Sequence, residues 1–361
     1  MSRQGRRWDV FCRVVDNFGD AAVCWRVARQ LADEHGARVR LWIDHPETLA
    51  ALRPDTAGIA VDVLPWTPDT DFGDPADIAI DAFGDGLPER YVRAMAARPD
   101  AHLWIKLEYL SAEAWVPGHH GLPSPHPSLP LRRFFCFPGF VDGTGGLLRE
   151  RDLLARRDAF DPASFWPAIG QAPPGPDASV VSLFGYENPA VGELLQSWAD
   201  GPVPVVAVVT ESRLTPGVRT FLGSDSRRGR LQARFLPFLP QDRYDELLWS
   251  CDWNFVRGED SFVRAQWAAR PFAWQVYPQQ EDAHQVKLEA FLALYAAGLE
   301  APLAPLWRAW NGAAPDIGAA WQALLPHRER LRAHARQWAH RQGARADLVA
   351  ELARFAENPL K

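Results

Sequence analysis

A strand, loop, helix, strand order occurs twice in this sequence, and that doubling constrains the fold more than any other feature. Residues 8–15 are apolar and β-branched enough for a buried strand, and Asp16-Asn17-Phe18-Gly19-Asp20 then supplies a tight turn. Across 21–34, Val23, Val27 and Leu31 recur every four positions on one helical face. Asp20 is placed to cap that helix and His35-Gly36 to end it. Residues 39–43 read as the next strand, which completes a βαβ unit of a parallel sheet with the usual right-handed crossover. The pattern restarts near Ser179. Residues 180–184 read as a strand, 185–188 as a loop, 189–198 as a helix with Pro189 at its first position, and 205–209 as a strand.

Between these repeats, short strands are expected at 78–82, 103–107 and 134–137. Residues 117–130, rich in Pro, Gly and His, read as an excursion loop. The charged, helix-prone stretch 147–161 and the Pro/Gly stretch 171–177 place a domain boundary near residue 160. The expected organisation is an α/β chain of two Rossmann-like parallel-sheet domains, 1–160 and 161–340, facing a central cleft. The tail, Arg-, Ala- and Leu-rich at helical spacing over 327–356, is expected to end in a helix at 341–361 that packs back on the first domain.

Composition excludes several classes. With 361 residues, 47% of them apolar, the chain can bury the cores of two domains. Its 39 Lys and Arg against 45 Asp and Glu give a net charge of -6, the wrong sign for a nucleic-acid backbone partner. Arg13 and Asp16 interrupt the first apolar run too early for an export signal, and no stretch approaches the roughly 18 apolar residues of a membrane span. Cys12, Cys24, Cys136 and Cys251 are scattered in apolar contexts, which fits buried thiols in a reducing cytoplasm. His119, His120 and His126 lack an acidic or cysteine ligand at a recognised spacing, so no metal site is expected there. No G-x-G-x-x-G, Walker A or G-x-S-x-G segment is present.

In open parallel sheets, ligands bind beyond the carboxyl ends of strands, where loops enter helices whose first amides favour anions. Three loops meet that description: Asp16 to Asp20, Phe184 to Asn188, and Arg257 to Ser261. In the third, Arg257-Gly258-Glu259-Asp260 joins a strand at 253–256 to a helix at 261–269 and could seat a diphosphate. There the Ser261 hydroxyl would donate to the phosphates and Arg257 would offset leaving-group charge. A plain helix cap at Asp260 or Ser261 and a surface ion pair at Arg257 fit the local pattern as well. Asp16 or Asp20 could be a base, although Asp at such a turn is routinely a cap. Phe184 and Tyr186 could stack on a nucleobase or simply pack in the core.

Longer stretches carry a resemblance. W-D-V-F-C-R-V-V-D-N-F-G-D from Trp8, L-E-Y-L-S-A-E from Leu107, F-P-G-F from Phe137 and T-G-G-L-L-R-E from Thr144 recur in one order with two more. Those two are S-L-F-G-Y-E-N from Ser182 and R-G-E-D-S-F-V-R-A-Q-W from Arg257. Together they resemble the bacterial arginine rhamnosyltransferases of translation elongation factor P, EarP, over nearly the whole chain. The resemblance implies a GT-B fold and an inverting, metal-independent and cofactor-free transfer of L-rhamnose from dTDP-β-L-rhamnose to an arginine of elongation factor P. It implies Asp20 as general base, Asn17, Phe18 and Gly19 as its donor-contacting neighbours, and Asp16 on the acceptor side. It further implies nucleotide contacts from Phe184, Tyr186 and Gln241. The diphosphate and sugar fall to Arg257, Gly258, Glu259, Asp260 and Ser261, with Glu259 also in catalysis. Two readings compete with it: a GT-B enzyme acting on a small-molecule acceptor, and a non-catalytic two-lobed nucleotide-sugar-binding protein.

Overall fold

Ile78–Ala82, Leu103–Leu107 and Val205–Thr210 are buried at every position, the signature of strands covered on both faces by helices. The computed structural model describes residues 5–16, 18–52, 59–84, 86–98, 102–279 and 283–358. The chain divides into two units. Unit 1 comprises 1–151 with 343–361, and unit 2 comprises 152–342.

Unit 1 holds a seven-stranded sheet of β1 (Arg7–Cys12), β2 (Arg38–Ile43), β3 (Val61–Pro65), β4 (Ile78–Ala82), β5 (Leu103–Leu107), β6 (Pro123–Pro125) and β7 (Arg132–Cys136). Its order is β3-β2-β1-β4-β5-β7-β6, parallel except for β6. The helices α1 (Phe18–His35), α2 (Pro46–Leu52), α3 (Glu89–Ala97) and α4 (Val116–His119) connect these strands. The 117–130 stretch expected to be a loop contains α4 and β6. Two prolines are tolerated in β6 because it is an edge strand, where a missing N–H costs no ladder bond.

Phe11, Trp42, Phe72 and Tyr91 pack edge-to-face or stacked with centroids 4.7 to 6.0 Å apart. Through this apolar layer Asp9, fully buried, is compensated by a bidentate Arg40 at 2.6 Å and by the Tyr91 hydroxyl at 2.5 Å. The Arg26 guanidinium on α1 grips Glu150 with two bonds of 2.7 Å and so fixes the segment that leads out of the sheet.

In unit 2 the six-stranded sheet contains β8 (Ser179–Leu183), β9 (Val205–Thr210), β10 (Arg227–Arg228), β11 (Leu231–Leu236), β12 (Trp253–Arg257) and β13 (Phe272–Gln275), in the order β10-β11-β9-β8-β12-β13. Setting aside the antiparallel β10, the order repeats the pattern of unit 1, with the first strand central and the fourth beside it. The helices are α5 (Leu153–Ala159), α6 (Pro162–Ala168), α7 (Val191–Ala199), α8 (Thr215–Leu222), α9 (Gln241–Ser250), α10 (Asp260–Trp267), α11 (Ala283–Tyr295), α12 (Leu303–Trp310), α13 (Ile317–Leu324) and α14 (Arg328–Gly343). Phe291, Tyr295 and Trp307 stack with centroids 5.5 to 5.8 Å apart and cement α11 to α12. A final helix, α15 (Leu348–Glu357), returns to unit 1. Asp347 caps it and also accepts from Gln30 on α1 at 2.9 Å, while Phe355 meets Phe134 of β7 edge-on.

Candidate active site

Among the parallel strands of each sheet the direction of strand addition reverses once, between β1 and β4 in unit 1 and between β8 and β12 in unit 2. In open parallel sheets these are the places where a crevice opens beyond the strand ends. All three loops singled out from the sequence leave strands that flank these two points.

In unit 1, β1 ends at Cys12 and α1 begins at Phe18, so Asp20 is not the cap but the third helical residue. Its carboxylate turns back instead. One oxygen, Oδ2, accepts the amide of Val15 at 2.9 Å and that of Asp16 at 2.8 Å, while the Gly19 amide donates to the Asp16 carbonyl at 2.7 Å. Asp20 is 3% exposed, Gly19 is buried, and Phe18 and Asp16 are partly exposed. The loop is fastened at its base by Val14 N to Asp44 at 3.0 Å and by the Trp66 indole to the Cys12 carbonyl at 3.1 Å. Asn17 lies outside the described residues.

The neighbouring strand end holds two groups that sequence reasoning passed over. Asp81, in the otherwise apolar β4, lies opposite Lys106 of β5, and their side chains pair at 3.3 Å with both residues buried. Burial pushes the Asp81 carboxyl up to about 6 despite the ammonium beside it. A lone charge in each of two five-residue apolar strands was the available signal, but only strand register brings the two together.

In unit 2, the Arg257 guanidinium is sandwiched between the two aromatic residues of the β8 loop, 4.9 Å from the Phe184 ring and 5.0 Å from Tyr186, and it donates to the Tyr186 hydroxyl at 3.4 Å. The two rings are therefore a seat for Arg257, whatever else stacks on them. Gly258 follows with φ of 60°, a left-handed turn that a side chain would strain. Its amide donates to the Gln275 carbonyl at 3.2 Å and its carbonyl accepts the Trp274 indole at 2.7 Å. Gln275 also accepts the Tyr186 amide at 2.9 Å, so β13 holds both loops.

Glu259, partly exposed, precedes α10. Asp260 is engaged by Arg264 at 2.9 Å, and Arg264 in turn by buried Asp245 at 2.7 Å, with Gln241 reaching Asp260 at 3.5 Å. Asp260 and Gln241 thus form one network across α9 and α10. The Ser261 hydroxyl donates to the Arg257 carbonyl and accepts the Arg257 amide at 3.0 Å. The hydroxyl thus ties Ser261 to the strand end that carries Arg257. Burial pushes the Tyr244 phenol up, against the pull of Arg257, and leaves it a neutral hydroxyl packed edge-on to Phe184.

The loop histidines do not converge on one another. His120 accepts the Phe137 amide, His126 accepts those of Ser128 and Leu129, and His119 pairs with the Trp115 carbonyl. Among the described residues no cluster of His, Cys, Asp and Glu could hold a metal ion, and no helix is long and apolar enough to cross a membrane.

Two parallel-dominated α/β units of this topology have the architecture of the GT-B glycosyltransferase fold. MurG of Acinetobacter baumannii shares the fold, with a TM-score of 0.55 over 98% of this chain and 99% of that one at 11% identity. The family described as Elongation-Factor P (EF-P) rhamnosyltransferase EarP matches residues 8–357. A protein-arginine rhamnosyltransferase of Pseudomonas putida is 49% identical over 376 residues, covering 98% of this chain and 99% of its own. A solved structure that gives the structural basis for EarP-mediated arginine glycosylation of translation elongation factor EF-P is 38% identical. It superposes with a TM-score of 0.71 over 98% of this chain and all of that one. The chain belongs to the EarP family and is a protein-arginine rhamnosyltransferase.

Proposed function

We propose that this enzyme moves L-rhamnose from dTDP-β-L-rhamnose to an arginine side chain of EF-P with inversion at the sugar. Unit 1 takes the acceptor and unit 2 the donor. The family, and a solved relative described as the structural basis for EarP-mediated arginine glycosylation of EF-P, support the acceptor. The observation that carries the reading is Asp20, a buried carboxylate held by two amides at the switch point of its sheet.

The chemical difficulty is the nucleophile. A guanidinium stays protonated in proteins, with a pKa above about 12, and its lone pairs are delocalised. Asp20 hydrogen-bonds the acceptor guanidinium, aims one nitrogen at the anomeric carbon, and takes its proton as the C–N bond forms and the C–O bond to dTDP breaks. A single displacement from the face opposite the leaving group turns a β-linked donor into an α-linked product. Asp16 and Glu259 act as further acidic groups, on the acceptor and sugar respectively.

On the donor side, Phe184 and Tyr186 wall the nucleotide, and Gln241 with Asp260 borders it. Arg257 and the first amides of α10 take up the charge that gathers on the departing diphosphate. Ser261 serves by holding Arg257 in place. This scheme runs without a metal or a cofactor, and four buried free thiols suit a reducing cytoplasm.

The test is mass spectrometry of EF-P incubated with enzyme and dTDP-β-L-rhamnose. One deoxyhexose on a single arginine, dependent on both reagents, is expected. Unmodified EF-P alongside a rhamnosylated small molecule would overturn the acceptor assignment.

A further inference from the structure

Asp81 and Lys106 are buried charges that the transfer scheme does not use. They stand at the carboxyl ends of β4 and β5, next to the strand whose loop carries Asp16 and Asp20. Lys106 does more than neutralise its partner: its ammonium also donates to the carbonyl of Gly84, the second residue beyond β4. Between them Phe83 adopts φ of 62°, a left-handed conformation that a bulky residue holds only when its surroundings enforce it. The enforcement is visible. The Phe83 amide donates to the Leu107 carbonyl at 3.1 Å, its ring stacks on Tyr109 at 4.6 Å, and Lys106 grips the following carbonyl. On its other side, the position of a Cβ at Gly84 would lie 3.6 Å from Arg13, at the root of the Asp16–Asp20 loop.

A buried ion pair is a weak device for stability, since desolvation cancels much of the attraction. Its value here is geometric. We propose that Lys106 and Asp81 are positioning residues of the acceptor half-site, which fix the Phe83–Gly84 turn and the Tyr109 ring against the loop that presents Asp20. This rests on reading unit 1 as the acceptor-binding half.

The double variant Asp81→Asn/Lys106→Met separates this from a purely structural role, because it removes both charges without stranding either. The expected result is a melting temperature near that of the wild type and an unchanged dissociation constant for dTDP-β-L-rhamnose. The KM for EF-P should rise about tenfold, in line with the rate cost of small misplacements. An EF-P KM at the wild-type value in a folded double variant overturns the proposal. Should the double variant fail to fold, Phe83→Gly decides the matter, since glycine accepts the turn while losing the ring stack. A raised EF-P KM with unchanged donor affinity supports the proposal, and an unmoved KM overturns it. Wild-type enzyme that transfers nothing to EF-P would overturn the functional reading and this inference with it. Normal wild-type transfer with unmoved variants overturns the inference alone.

Discussion

Asp20 Oδ2 accepts the amide of Asp16, four residues earlier, at 2.8 Å. The carboxylate that the proposed chemistry needs is therefore also the clasp of its own loop. The two roles separate by substitution. Asparagine keeps an oxygen for the Val15 and Asp16 amides, whereas alanine leaves both without it. Asp20→Ala is expected to lower unfolding free energy by about 1 kcal/mol, as for loss of a helix-terminal cap, and Asp20→Asn by clearly less. Chemical denaturation midpoints of the two variants check this.

The Arg257 guanidinium lies over the Phe184 and Tyr186 rings, at 4.9 and 5.0 Å, in the loop proposed to meet the donor diphosphate. Arg257→Ala is expected to weaken dTDP-β-L-rhamnose binding about tenfold or more, a loss of one charge-assisted hydrogen bond. Arg257→Lys should recover little of it, because a lysine lacks the planar fork that the rings hold. Isothermal calorimetry measures both.

The hydroxyl of Ser261 is engaged on both sides by the Arg257 backbone. Ser261→Ala is thus expected to cost about 1 kcal/mol of stability, with any loss of donor affinity following from a looser Arg257. Were the hydroxyl a direct phosphate donor, affinity would fall and stability would hold. Thermal melts with and without dTDP distinguish the two.

Burial raises the Asp81 carboxyl to about 6 from an unfolded value of about 4, with Lys106 and Arg133 opposing and Glu108 assisting. Between those values the folded chain keeps a proton that the unfolded chain has released. This group's contribution is therefore full below pH of about 4 and is lost as pH rises through about 6, on the order of 3 kcal/mol. The stability difference between wild type and Asp81→Asn, measured from pH 4 to 7, should drift against the wild type as pH rises. A flat difference would contradict the assignment.

Much of the scaffold was legible because the strands are short, apolar and bounded by turns. Ile78–Ala82 and Leu103–Leu107 fall where the residues alone put them. The first helix begins earlier than expected, since Asp20 looked like a cap while it acts from inside the first turn. The second βα turn is likewise shifted: Pro189 sits before the helix, which starts at Val191. The terminal helix expected at 341–361 is shorter, Leu348–Glu357, because α14 runs on to Gly343, and the two units divide at 151/152 where the sequence suggested about 160.

The T-G-G stretch was visible as a motif, but its use was not. Gly146 has φ of 72°, and a Cβ there would lie 2.4 Å from the Ala346 carbonyl. The motif is thus the close-packed berth for the returning chain that leads into α15. Asp81 and Lys106 escaped notice because neither has a periodic partner in sequence and pairing exists only across strands.

Proton removal by Asp20 is the central step of the proposed transfer. The most direct measurement is single-turnover rhamnosyl transfer to EF-P by Asp20→Asn, with donor saturating and its affinity checked by calorimetry. The expected result is a rate at least about a hundredfold below the wild type with donor binding intact. A folded Asp20→Asn enzyme that transfers rhamnose at near wild-type rate would contradict it.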